Sequence, residues 1–155
     1  MKNREIQITS RCKSLRFDLD GVTDCLRQLD TDSRFALHGG DLSIVFLSDA
    51  EMGDLHGTFL GDPSPTDVIT FPGDPEFGEA GEICIGVERA AAVYPEHQST
   101  LSHEILLYLA HGWLHLAGYD DVSEEDRLRM RQAEQEAMAL LLRNRSTPPK
   151  FSWVD

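Results

Sequence analysis

Two histidines near the end of a long apolar segment constrain this chain more than any other feature. Residues 111–121 read H-x-x-x-H-x-x-G-x-x-D, and His111 and His115 lie among helix-forming apolar residues. Four residues make about one helical turn, so both imidazoles project from one face of the predicted helix. Gly118 can adopt the left-handed conformation that ends a helix. The chain is therefore expected to form a long helix that stops near Gly118.

A carboxylate follows this turn at a position from which it can approach both imidazoles. If the chain reverses at Gly118, Asp121 completes a set of three ligands on one side of an ion. Three protein ligands leave a fourth position for water, as in catalytic zinc sites. The spacing therefore predicts an open Zn²⁺ site held by His111, His115 and Asp121. Histidines at this spacing also occur by chance in helices, where their role is purely structural.

The same layout occurs in metalloproteases as H-E-x-x-H-x-x-G-x-x-H, with two differences here. Gly112 stands where those enzymes carry the glutamate that serves as general base. Asp121 stands where they carry the third histidine, and a carboxylate oxygen is an accepted zinc ligand. A peptidase with this sequence would lack its catalytic base.

Composition and charge limit the classes of function that remain. The chain has 155 residues, 41% of them hydrophobic, which is typical of one globular domain. It has no apolar run of membrane-spanning length, no signal-peptide pattern and only three cysteines, so we expect a cytoplasmic protein without membrane partners. The net charge of −13 argues against loose, charge-driven binding to nucleic acid.

Hydrophobic periodicity predicts an α+β fold in a single domain over residues 1–143. Strands are expected at residues 4–9, 41–47, 66–71 and 82–86, with a loop at 61–65. Helices are expected at residues 18–30, from 48 or 49 to 59, 87–94, from 99 or 100 through the histidines, and from 123 onward. We expect a small mixed β-sheet packed against helices, with the metal site on the long helix and the turn after it. The tail over residues 144–155 is expected to be irregular.

Three segments, in order along the chain, resemble the YbeY family of bacterial endoribonucleases. Residues 111–121 resemble that family's H-G-x-L-H-L-x-G-Y-D-H, residues 65–72 resemble P-T-D-V-L-S-F-P, and residues 81–86 resemble G-D-I-x-I-S. The resemblance extends from about residue 5 to residue 143. Three ordered segments are more specific than the metal motif alone.

The resemblance implies a function as well as a fold. It implies a zinc-dependent endoribonuclease that cleaves single-stranded RNA, acts in 16S rRNA maturation and ribosome biogenesis, and has the small ribosomal subunit or its assembly factors as partners. One Zn²⁺ per chain is expected on His111, His115 and Asp121. Asp121 replaces the family's usual histidine, and Asp120, which matches the family's aspartate, is the alternative third ligand; spacing favours Asp121.

The catalytic side chains are less well defined by the sequence than the metal ligands. We assign none beyond a water on the metal, with support from Glu104, two turns before His111, or from Asp67; solvated or structural roles fit both residues as well. Leu60 stands where the family has an arginine thought to contact RNA phosphate, and leucine cannot supply a guanidinium. Leu60 and the net charge favour an alternative, a ribosome-assembly factor with little nuclease activity. A metal-dependent hydrolase of another substrate is a third alternative.

Overall fold

A computed structural model of the chain shows strands and helices interspersed along the sequence. It describes residues 4–61, 67–143 and 145–154, and of Leu60 it describes the backbone alone. The strands are β1 (Ile6–Ser10), β2 (Leu15–Phe17), β3 (Asp41–Leu47), β4 (Val68–Pro72), β5 (Glu79–Gly86) and β6 (Phe151–Trp153). The helices are α1 (Leu19–Leu29), α2 (Asp49–Leu60), α3 (Val87–Val93), α4 (Leu101–Leu116) and α5 (Glu124–Leu141). The predicted loop beyond Gly61, the side chain of Leu60 and the predicted start of a strand at Thr66 lie outside the described residues.

Four strands form a mixed sheet in the order β1-β3-β5-β4. The first three are parallel to one another, and β4 runs antiparallel to β5 along the edge of the sheet. Strand β5 begins at Glu79, three residues earlier than predicted, because its first residues pair with β3 despite their turn-rich composition. The expected α+β fold with a small mixed sheet is confirmed.

Helices begin where short polar side chains can accept hydrogen bonds from unpaired backbone amides. Ser48 caps α2 in a capping box with Glu51, Thr100 caps α4, and Ser123 caps α5. The sequence left two candidate residues open for each of the first two caps, and the structure selects one. Within the described residues, no helix combines the length and apolar character needed to cross a membrane.

Helix α4 lies at the centre of the molecule and positions the candidate site. It packs against β4 and β5 on one side and against α5 on the other. Its apolar residues Leu109, Trp113 and Leu114 are fully buried in the main core. A smaller cluster of buried residues lies where α2 covers the opposite face of the sheet, and it includes Met52 and Cys84. The histidines of α4 are thus held on a helix that is buried along most of its length.

The expectation of an irregular tail is wrong for residues 151–153. Strand β6 pairs antiparallel with β2, and Phe151 lies opposite Phe17 in the register. The Phe151 ring is 4% exposed and contacts both Phe17 and Phe46, with ring centroids 5.8 and 5.7 Å away. A three-residue strand carries too little periodicity to be recognised, since pairing with a distant segment and burial of one aromatic ring define it.

Candidate metal centre

Both histidines project from the part of α4 that faces away from the core. His111 and His115 lie one turn apart, and their side chains are 25% and 24% exposed. Their rings meet edge to face with centroids 4.6 Å apart, which brings the two Nε2 atoms to 3.0 Å. The helical spacing read from the sequence therefore places the two nitrogens side by side at the molecular surface.

Helix α4 ends at the predicted glycine in a Schellman motif. Gly118 has φ of 104°, in the left-handed region. The amide of Tyr119 donates to the carbonyl of Leu114 at 2.9 Å, and the amide of Gly118 donates to that of His115 at 3.1 Å. After this turn the Arg127 guanidinium donates to the carbonyl of Val122 at 3.0 Å. The turn and this contact direct the chain back toward the histidines.

Asp121 lies beside both imidazoles, as the spacing predicted. Its Oδ2 is 3.5 Å from Nε2 of His111 and 3.4 Å from Nε2 of His115. Ligands bound tetrahedrally at zinc distances of about 2.0–2.2 Å would lie roughly 3.3–3.6 Å from one another. The two carboxylate distances match this spacing, and the nitrogens would separate by a few tenths of an ångström. The donor set of two imidazoles and one carboxylate therefore fits a single divalent cation.

Glu134, on α5, holds the ring of His111. Nδ1 of His111 donates to Oε2 of Glu134 at 2.6 Å, and the Glu134 side chain is 19% exposed. With its proton on Nδ1, His111 presents the lone pair of Nε2 toward His115 and Asp121, which is the arrangement a metal ligand needs. Carboxylate partners of this kind orient ligating histidines and raise their basicity.

The same carboxylates control the proton affinity of His111. Burial lowers the pKa of this imidazole, but the hydrogen bond and charge of Glu134, with the charges of Asp121 and Asp67, outweigh burial and raise the pKa above its ordinary value. The site therefore attracts positive charge. A proton and a divalent cation compete for it, because a histidine ligand must be neutral at the nitrogen that binds.

Gly112 shows why a protease-like glutamate is absent. A Cβ atom at this position would lie 2.6 Å from Cγ2 of Ile83 and 3.1 Å from Cγ1 of Val68. Helix α4 therefore packs directly on strands β4 and β5 with no room for a side chain. A glutamate here would separate the helix from the sheet, so the missing general base follows from the packing.

The other candidate acids, Glu104, Asp67 and Asp120, lie in different surroundings. The Glu104 side chain is 3% exposed and accepts from Nδ1 of His97 at 3.1 Å, away from the three ligands. Asp67, at the start of β4, accepts the amide of Val68 at 2.8 Å and is close enough to affect the pKa of His111. Asp120 lines a separate surface cavity with Tyr119 and Asp126, and the cluster of candidate ligand atoms contains Asp121 alone of the two aspartates.

Sequence reasoning missed Glu134. It lies on α5, next to the buried Ala133 and near the buried Ala137, so it occupies the border of the apolar face. Nothing in the local sequence pairs it with His111, 23 residues earlier. The signal that could have found it is the general need of a ligating histidine for a carboxylate or carbonyl partner, combined with an acid at the border of a neighbouring helix.

Comparisons with known proteins identify the family. Residues 4–141 match the family model described as Endoribonuclease YbeY. A protein named Endoribonuclease YbeY from Finegoldia magna is 31% identical over 144 residues, which cover 86% of this chain and 91% of the relative. One of the same name from Chlamydia muridarum is 39% identical over 111 residues, which cover 66% of this chain and 68% of the relative.

The fold also matches a solved structure. The solution structure of TM1509 from Thermotoga maritima superimposes with a TM-score of 0.63 over 90% of each chain, at 24% sequence identity. This likeness concerns the fold, and the match to the family model covers nearly the whole chain. The chain belongs to the Endoribonuclease YbeY family.

Proposed function

We propose that this chain is a metal-dependent endoribonuclease that cleaves single-stranded RNA, with one Zn²⁺ bound by His111, His115 and Asp121. The observation that carries the proposal is the convergence of three ligand atoms in a member of a family whose relatives are named endoribonucleases. The separations of those atoms fit one ion, and the side chains are exposed enough for a large substrate to reach them.

Each residue of the site has a role that its contacts support. Glu134 fixes the ring and tautomer of His111, His115 supplies the second nitrogen, and Asp121 supplies negative charge at the open side of the site. A bound divalent cation would contribute Lewis-acid chemistry, acidifying water and polarising a phosphoryl oxygen. Asp67 adds negative charge near His111, and this is the supporting role we propose for it. Glu104 is bonded elsewhere, so any support from it would be indirect.

The proposed biological role is 16S rRNA maturation in the cytoplasm, with the small ribosomal subunit or its assembly factors as partners. Membership of a family whose relatives are named endoribonucleases supports an RNA substrate. Cys12, Cys25 and Cys84 are all free thiols, which supports a reducing compartment.

A ribosome-assembly factor with little nuclease activity is the second candidate function. Leu60 in place of the family's arginine and the net charge of −13 favour it, because both reduce the attraction of RNA phosphates. The third alternative is a metal-dependent hydrolase of another substrate, such as a peptide. The packing of Gly112 counts against a peptidase, which would need a general base at that position.

Cleavage of a single-stranded RNA oligonucleotide by zinc-loaded protein tests the proposal. We expect cleavage that stops when a chelator removes the metal and that falls more than about 100-fold in His115→Ala. His38→Ala is the matched control, because His38 is an exposed histidine whose Nδ1 hydrogen-bonds the neighbouring Gly39 carbonyl and which lies outside the candidate site. Zinc-loaded protein that binds the small subunit but leaves RNA intact would instead establish the assembly-factor alternative.

A further inference from the structure

A cavity of about 430 Å³ adjoins the candidate metal centre along the edge of the sheet. Its walls are formed by Phe59, Val68, Ile69, Thr70, Phe71 and His115. One metal-ligating histidine is therefore shared between the cavity and the metal site. Whatever occupies this cavity lies within contact distance of a group bound at the metal.

Strand β4 offers unpaired backbone groups to this cavity. Within the described residues β4 pairs with β5 alone. The carbonyl of Asp67 accepts from Gly86 and the amide of Gly73 donates to Ala80, both on the β5 side. Backbone groups alternate in direction along an antiparallel strand, so Val68 and Thr70 direct theirs toward the open edge.

Most of these outward groups have no partner in the described part of the chain. Asp67 already accepts the amide of Val68. The amide of Thr70 and the carbonyls of Val68 and Thr70 remain, one donor between two acceptors. Pro72 brings no amide and ends the exposed row of donors. The edge therefore presents a short donor–acceptor pattern of the kind that a nucleobase edge can match.

Two aromatic rings, those of Phe59 and Phe71, line the cavity beside the edge of β4. Phe59 is 61% exposed, although it is a large apolar side chain. Its ring meets Phe71 at a centroid distance of 5.2 Å and an interplanar angle of 72°. An exposed aromatic face beside unpaired backbone groups is how single-stranded nucleic-acid sites bind bases, by stacking and by hydrogen bonds to the base edge.

The charge of the cavity also favours a base over a phosphate or a basic peptide. Among the described residues that line it, His115 alone has an acidic or basic side chain. Three other surface cavities each have acids in their walls, such as Glu82, Asp54 and Asp126. In a chain with a net charge of −13, this cavity is a neutral surface that RNA can approach without repulsion from the cavity wall.

We propose that this cavity binds one unpaired nucleobase of the RNA substrate, stacked on Phe59 with its polar edge on the backbone of Thr70. This inference rests on the proposed ribonuclease function and names the part of the substrate that the site recognises. A base in a duplex is stacked and paired, so it cannot enter the cavity while the neighbouring phosphate lies at the metal ligands. Selection for single-stranded RNA follows from this requirement.

Binding of a short single-stranded oligoribonucleotide containing one fluorescent purine analogue tests the proposal in zinc-loaded protein. We expect Phe59→Ala to weaken binding roughly 5- to 150-fold, the range for loss of one base–aromatic stack, and Phe59→Trp to preserve binding. Phe77→Ala is the matched control, because Phe77 is 76% exposed and does not line the cavity. Bound metal measured in each variant verifies that the site is intact.

A second probe with an abasic position identifies what Phe59 contacts. Wild-type protein should bind the probe with an abasic residue at the cavity position at least as weakly as Phe59→Ala binds the complete probe, because the abasic residue loses the hydrogen bonds to Thr70 as well as the stack. Phe59→Ala should cause no further loss of affinity for the abasic probe. The proposal would be overturned if Phe59→Ala lost the same factor of affinity for the complete probe and for the abasic probe, or if its binding were unchanged. Displacement of the RNA probe by an extended peptide would also overturn it. Chelator-sensitive cleavage with normal binding by Phe59→Ala would overturn the base pocket and leave the ribonuclease function standing. Base-dependent binding without any cleavage would overturn the ribonuclease function and leave the base pocket standing.

Discussion

At the scale of single residues, the Glu134 carboxylate orients the imidazole of His111 for the proposed metal. Its 2.6 Å hydrogen bond to Nδ1 fixes the ring, and no other contact to that nitrogen occurs in the described structure. We expect Glu134→Gln to lower zinc affinity about 10- to 100-fold while the protein stays folded. Competition with a chromophoric chelator measures this affinity. Glu125→Gln on the exposed face of α5 is the control, and equal affinities in the two variants would refute the role of Glu134.

Proton competition at His111 gives a second prediction at this scale. In metal-free protein the raised pKa means that protonation of His111 stabilises the fold. This contribution is fully present below the ordinary histidine pKa and is lost as pH rises through the raised value. Zinc requires the neutral ring, so the stabilisation by zinc should shrink as pH falls from about 8 to 5.

Thermal unfolding with and without zinc across this pH range measures the difference. The comparison with Glu134→Gln isolates the part of the loss that is due to the raised pKa of His111. In Glu134→Gln the stabilisation by zinc should begin to fall at a lower pH than in the wild type. A stabilisation by zinc that stays constant across the range would contradict the assignment of His111 as a ligand.

At the scale of elements, the packing of α4 on the sheet depends on Gly112. A Cβ atom there would lie 2.6 Å from Cγ2 of Ile83. Helix α4 and strand β5, which carry these two residues, are buried and cannot easily move apart. We expect Gly112→Ala to lower the free energy of unfolding by about 1–3 kcal/mol despite the better helix propensity of alanine. Gly39→Ala is the control, because a Cβ there meets nothing within 4 Å. Chemical denaturation measures both, and a stabilised Gly112→Ala would show that α4 lies further from the sheet.

The extent of prediction from sequence differs between local and distant contacts. The sequence correctly indicated α4, its end at Gly118 and the approach of Asp121, because all three depend on residues within a few turns of one another. Glu134 was missed, because it meets the site only after α5 packs on α4. The edge of β4 was missed for a similar reason, since its exposure depends on where it lies in the sheet.

The short strand β6 was beyond prediction because it exists only through its contacts. Phe151 fits between Phe17 and Phe46, and its amide donates to Oγ of Ser102 on α4 at 2.8 Å. We expect Phe151→Ala to lower the free energy of unfolding by about 3–5 kcal/mol. Val154→Ala, at an exposed residue next to the strand, should have little effect. A free energy of unfolding that changes as little in Phe151→Ala as in Val154→Ala would show that the tail does not belong to the fold.

At the scale of the whole molecule, the net charge limits how RNA can be bound. The chain has 27 acidic residues against 14 lysines and arginines. Affinity for single-stranded RNA that rests on many phosphate contacts falls steeply with salt, by a slope of about −0.7 for each contact. We expect a slope no steeper than about −1.4, corresponding to two contacts, because the base pocket and the metal supply the attraction.

Titration of the RNA probe at several salt concentrations between about 50 and 200 mM measures this slope. Phe59→Ala should reduce affinity by the same factor at each concentration, since stacking involves no ions. A slope several times steeper would reveal a basic surface that the arrangement of charges around the site does not provide.

The whole account depends on one divalent cation held by His111, His115 and Asp121. Elemental analysis of the purified, zinc-equilibrated protein, together with Asp121→Ala and Asp120→Ala, tests this dependence. We expect one metal ion per chain in the wild type and in Asp120→Ala, and substoichiometric metal in Asp121→Ala. Folded wild-type protein that retains no ion, or Asp121→Ala that retains a full equivalent, would contradict the assignment of the metal centre.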